Sequence, residues 1–97
     1  MSDETGDGEL GRFPLGVITA TVNAMNMLPP EALAQALSRH SRCDWGDVDR
    51  SDWRANDEAL LDGSRLMSVY HTRQGKAVWV ITEADRSTTT VLLPEDY

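Results

Sequence analysis

The sequence predicts a small α+β domain, in which a C-terminal three-stranded antiparallel meander and an N-terminal edge strand are covered on one face by two helices. Three observations predict it. Ala77-Val78-Trp79-Val80-Ile81 is apolar at consecutive positions, the pattern of a central strand with both faces covered. Residues 88–93 are rich in β-branched side chains that suit a pleated surface, and the charged run 83–87 supplies a turn between the two. Two stretches with helix start and stop signals, 30–40 and 51–62, come before the meander.

Residues 1–12, dominated by Asp, Glu, Gly, Ser and Thr, are expected to form a disordered acidic tail, and 13–97 the single domain. Residues 16–20 predict a short edge strand, because Pro14 lies just before them. Thr21 can cap a helical turn in which Val22, Met25 and Leu28 recur at helical spacing. Pro29-Pro30 stops that turn and opens the helix over 30–40. Glu31 falls in its first turn, Arg39, His40 and Arg42 at its end, and Leu33 with Leu37 form its apolar stripe. Ser51 is the expected N-cap of the second helix, with Trp53, Asn56 or Asp57, and Leu60 along one face, and Gly63 as a left-handed stop. Over 64–72 a strand is predicted with Met67 and Val69 on its covered side and Leu66, Ser68 and Tyr70 on the other. Arg73-Gln74-Gly75 makes the hairpin.

Sixteen acidic against nine basic side chains leave a net charge of -7. Nucleic-acid affinity comes largely from Lys and Arg on phosphates, so this balance argues against it and suits a basic protein surface instead. A single cysteine, Cys43, excludes an intrachain disulfide and fits a reducing cytoplasm. No apolar run approaches the ~20 residues of a bilayer span, so no membrane is expected. The three Trp, two Tyr and one Phe are expected to dominate the core.

The acidic loop carries Asp44, Asp47, Asp49 and Asp52, but its Gly46 comes too early for a calcium loop, and no metal is expected. Trp45 within it fits two roles, a plug of the core or an exposed anchor for a partner. Cys43 lies three residues from His40 without a cysteine-protease signature, and zinc needs more Cys and His than the chain offers. No Gly-rich phosphate loop, zinc-protease helix or nucleophile elbow is present, and no cofactor is implied. Arg65, His71, Arg86 and Thr88 form a second candidate set. On adjoining strands they have the chemistry to hold a phosphate and move protons, as in a metal-independent ribonuclease toxin of the barnase and RelE kind. The plainer role of Asp85, Arg86 and Ser87 is turn hydrogen bonding.

Asp44-Trp45-Gly46-Asp47, then Asp52, Asn56, Ala59-Leu60, Gly63, Arg65-Leu66, Ser68 and Tyr70, followed by residues 79–87, 89–95 and Tyr97, resemble a family of small proteins of bacterial plasmids and integrative elements. Its members carry labels such as plasmid-related protein or type I restriction subunit M. The resemblance covers roughly residues 16–97. A methyltransferase activity does not fit, since Leu28-Pro29-Pro30-Glu31 lacks the Asn and the aromatic of that catalytic motif, and the chain is too short for the fold. What the resemblance implies is a mobile-element accessory protein. The expectation is therefore an interaction protein, more an adaptor than an enzyme, that modulates host defence or restriction. Asp44, Trp45, Asp47, Asp49, Asp85 and Arg86 are its expected contacts, and a homodimer through a strand edge is a further reading.

Overall fold

The computed structural model describes residues 11–97. Four strands form one sheet: β1 (Val17–Ala20), β2 (Leu66–His71), β3 (Ala77–Thr82) and β4 (Thr88–Leu92), in the order β1-β4-β3-β2. The helices are α1 (Val22–Met27), α2 (Pro30–Ser41) and α3 (Arg50–Asp62), and a short 3-10 turn, Pro94–Asp96, follows β4. The α+β class holds, with three helices rather than two. The sheet is mixed rather than antiparallel, because β1 runs parallel to β4. The chain from β1 passes through all three helices before the meander, and that long connection allows a parallel return. Of the expected tail, residues 1–10 lie outside the described residues. The Arg12 N–H already bonds the Ser41 carbonyl at 2.7 Å, so the packed chain includes Arg12.

The helix ends follow local chemistry. Thr21 caps α1 by accepting from the Ala24 N–H at 3.0 Å. Pro30 opens α2 and Gly63, at φ 80°, closes α3. The α3 cap is Asp49, not Ser51. The Asp49 carboxylate accepts from the Asp52 N–H at 2.8 Å and from the Ser51 hydroxyl at 3.1 Å. Ser51 thus serves the residue that does the capping.

Alternate residues of the sheet face the helices. Val78 and Val80 of β3, Val91 of β4 and Leu93 pack against Ala24 and Leu28 of the α1 segment and Ala36 of α2, with Leu33 and Leu37 alongside. The covered side of β2 is the reverse of the expected one: Leu66, Ser68 and Tyr70 are buried, whereas Met67 and Val69 are half-buried on the opposite face. Polar Ser68 and Tyr70 can lie inside because partners await them there. The Tyr70 hydroxyl donates to the Asp44 carbonyl at 2.6 Å, and Ser68 meets His40. Among the Trp residues only Trp45 is fully enclosed, against Ala59 and Leu66. Trp79, expected between two covered faces, is half-buried with Tyr97 edge-on at 5.3 Å, and Trp53 is 36% exposed. The buried residues of α3 are Asn56 and Ala59 instead of Trp53 and Leu60.

The two sheet edges differ. Along β2, the Val69 N–H donates to the Trp45 carbonyl (3.1 Å) and its carbonyl accepts from the Asp47 N–H (2.6 Å). Two residues away, the Asn56 amide grips Met67 by both backbone groups, at 2.8 and 3.1 Å. Gly46 permits this approach. At φ 80° it has no room for a side chain, since a Cβ would sit 2.1 Å from the Val69 carbonyl oxygen and 2.6 Å from the Tyr70 ring. Gly46→Ala is expected to cost roughly 2–5 kcal/mol in urea unfolding, from left-handed strain plus the clash. Gly63→Ala, equally left-handed but with nothing within 4 Å, should cost only about 1–2 kcal/mol.

Candidate functional site

The candidate residues fall into two groups at opposite ends of the sheet. The first is the loop leading into α3. The Asp44 carboxylate takes a two-point grip from Arg39 of α2, at 2.8 and 3.3 Å, and accepts from the Gly46 N–H at 3.2 Å. The Arg39 hydrogen bond holds the Asp44 carboxyl below its ordinary range. The Arg39 guanidinium lies 4.5 Å above the Tyr70 ring, fixing the same corner from the other side. Asp47 meets Nδ1 of His71 at 2.8 Å across the β2 edge, both groups about half-exposed. Asp49 caps α3.

Trp45 contributes nothing to the surface. Its exposure is 0%, and its indole N–H donates to Asp57 at 3.0 Å. It is therefore the plug and not the anchor. The aromatic that does reach solvent nearby is Trp53, one turn into α3. Trp53 shares a side of α3 with Asn56, three residues on, yet the edge of β2 takes up Asn56 while Trp53 stays 36% exposed, a distinction that residue spacing does not carry.

At the other end, Asp85 accepts from the Ser87 N–H at 3.0 Å, an ordinary turn bond. Arg86, at φ 61°, folds back over the end of α3. Its guanidinium donates to the carbonyls of Ser64 (2.7 Å), Ala59 (2.9 Å), Glu83 (3.3 Å) and Ala84 (3.3 Å), and it lies over the Phe13 ring at 5.9 Å. Arg86 is thus a clamp joining the β3–β4 turn to α3, with both terminal nitrogens engaged. Helix α3, about 20 Å long, separates this turn from the acidic loop, so the two parts of the expected contact set do not form one surface.

The ribonuclease set is not brought together. Arg65 lies just before β2 and donates to the Tyr97 hydroxyl at 2.8 Å, while His71 ends β2, roughly 20 Å further along the strand. Thr88 begins β4 beside the Arg86 turn, where Arg86 is engaged with carbonyls.

One cluster was not foreseen. His40, fully buried in α2, places Nδ1 2.6 Å from the Ser68 hydroxyl and Nε2 2.9 Å from that of Thr82. Thr82 meets Thr89 at 2.7 Å, and Thr89 donates to the Leu15 carbonyl at 2.7 Å. Because a carbonyl only accepts, the protons are ordered along the chain: Thr82 donates to Thr89, His40 Nε2–H donates to Thr82, and Ser68 donates to Nδ1. Phe13 and Trp45 pack edge-on against the imidazole at 5.3 and 5.6 Å. The Ser–His pair resembles a nucleophile with its base, but neither residue has any exposed surface, so the pair holds the layers together. Cys43, three residues on, has its thiol pushed up by burial, and both His40 nitrogens are engaged elsewhere.

Burial, with the Arg86 charge behind it, lowers His40 from 6.5 to about 4. The neutral form is the folded form. Its contribution is complete above pH 6.5 and is lost as pH falls toward 4, about 3 kcal/mol over that span. The lowered carboxyls, Asp44 among them, act only below their ordinary value of 3.8. Urea midpoints should therefore be level from pH 8 to 7 and fall between 6.5 and 4. Arg86→Ala should cost about 1–3 kcal/mol at pH 7, as expected for a charged donor shared among four carbonyls of two elements and not for a free surface side chain. No protein-family model, no curated protein and no solved structure matches the chain.

Proposed function

We propose that this chain is an accessory protein that works by gripping another polypeptide through the acidic surface of the 44–52 loop and α3. Asp47, Asp49, Asp52, Asp57, Glu58 and Asp62 are all exposed along it, with Trp53, Arg50 and Arg54 among them. Shallow clefts flank the helix, one lined by Val48, Arg50, Trp53, Arg54 and Asp57, the other by Val48, Asp52, Ala55, Asn56, Met67 and Val69. An aromatic and aliphatic centre inside a charged rim is the usual arrangement of a protein-binding patch. The net charge of -7 sets the sign of the partner, which presents a basic surface.

The single observation that carries this reading is the juxtaposition of half-exposed Trp53 with that run of carboxylates on one helix. In the setting implied by the family resemblance, a bacterial mobile element, the partner is a cytoplasmic host or element-encoded component of defence or restriction. No helix among the described residues is long and apolar enough to cross a membrane.

Residues for the test are chosen to spare the fold, which excludes Asp44 and Asp49 because each holds the loop in shape. Trp53→Ala combined with Glu58→Lys should reduce retention of the partner from host lysate at least tenfold, with retention by the parent protein falling as salt rises. The Glu58→Lys single variant, at an exposed position, should leave the urea midpoint in place and already lower retention, which separates lost binding from packing lost with Trp53. Undiminished retention by the double variant would remove α3 from the binding surface.

A further inference from the structure

Residues 13–30 are eighteen consecutive positions without Asp, Glu, Lys or Arg, where the chain's average would place about five. The fold gathers this run at one side of the molecule, as the outermost strand β1 and the helix α1 that follows it. Val17 donates to the Ser87 carbonyl at 2.9 Å and Thr21 to the Val91 carbonyl at 3.0 Å. In a parallel ladder the N–H and C=O of one residue point the same way, so residues 17, 19 and 21 serve β4 while Ile18 and Ala20 point outward. Val17 is 65% exposed, Ile18 51%, Val22 74%, Met25 60% and Met27 51%. Large apolar side chains thus flank a row of backbone donors and acceptors that is open among the described residues, the arrangement that invites another strand.

We propose that β1 pairs antiparallel with β1 of a second copy of this chain, about a two-fold axis near Thr19. Ile18 then lies opposite Ala20 of the second copy, exchanging both backbone hydrogen bonds, and the reverse pair does the same. The two sheets become continuous, and Val22 and Met25 of each α1 are carried toward the contact.

Charge selects this occupant. Each copy carries -7, so two copies repel one another over most of their surface and least through a stretch that has no charge. A basic partner gains nothing from this side. The edge is also complementary to itself, since outward residues offer one donor and one acceptor each. Full burial of the five exposed side chains, at roughly 100 Å² apiece, sets an upper bound of about 1,000 Å² over both copies, the lower limit of a specific interface, so the dimer is reversible.

Sedimentation equilibrium of the purified chain over a concentration series, at low and high salt, tests the pairing. The expected result is a monomer–dimer equilibrium that tightens as salt screens the repulsion, opposite to the salt response of a basic partner on α3. Ile18→Pro removes an outward N–H without touching a bond to β4, and it should raise the dimer dissociation constant at least tenfold. Met25→Lys should do the same from the surface of α1 and serves if the proline unfolds β1. Leu61→Lys, 91% exposed on α3, should leave the constant unchanged. A chain that stays monomeric at its highest soluble concentration in high salt overturns the proposal. So does a dimer that survives both Ile18→Pro and Met25→Lys, or one that Leu61→Lys dissociates.

Discussion

The imidazole of His40 is the constraint on which the two layers depend. A helix resting on a sheet through hydrocarbon alone can slide by a residue at little cost. Here both ring nitrogens must meet particular hydroxyls, Ser68 on β2 and Thr82 on β3, and the second of these leads through Thr89 of β4 to the segment entering β1. One side chain therefore sets the position of α2 against three strands and the chain ahead of the fourth. Its aromatic neighbours, Phe13 and Trp45, exclude water from the node and strengthen each bond in it. Among the described residues no buried side-chain nitrogen or oxygen lacks a partner. A polar interior so completely matched specifies one register as well as adding stability.

The same economy of polar groups limits which residues face outward for function. Asp44, Asp49 and Arg86 look available in a linear sequence, yet each is occupied in holding a loop, a helix end or a turn. Asp96 is a further case: it accepts from the Thr21 hydroxyl at 2.7 Å, the Asn23 amide at 3.1 Å and the Leu93 N–H at 3.0 Å, tying the last turn of the chain to the start of α1. Two areas stand out in what remains at the surface, carboxylates with Arg50 and Arg54 near Trp53 on one side and uncharged aliphatic groups on β1 and α1 on the other.

Features governed by local chemistry could be read from the residues. The proline start of α2, the glycine stop of α3 and the Gly75 hairpin all depend on neighbours in sequence, and the structure has them. Features that depend on distant partners could not. The covered face of β2 follows from His40 and Asp44, which lie more than twenty residues earlier, so Met67 and Val69 looked like the better inward pair on hydrophobicity alone. The parallel placement of β1 is a matter of topology, invisible to a two-residue period. Asp49 outcompetes Ser51 as a cap by two positions, within the usual blur of helix ends. Trp45 and Trp53 are eight residues apart in similar acidic surroundings, and only the tertiary structure distinguishes plug from surface. The acidic character of the α3 region, by contrast, was evident in the composition.

Asn56 has a consequence for how this molecule can assemble. By meeting both backbone groups of Met67, one amide does for β2 what a neighbouring strand would do, and the Trp45–Asp47 segment completes the cover. Any chain seeking that margin of the sheet would first have to dislodge a helix. Growth is thereby confined to a single side, and a ribbon that can be extended from only one end terminates after one addition. The fold is in this way guarded against open-ended polymerisation into filaments, a hazard its aliphatic margin would otherwise carry.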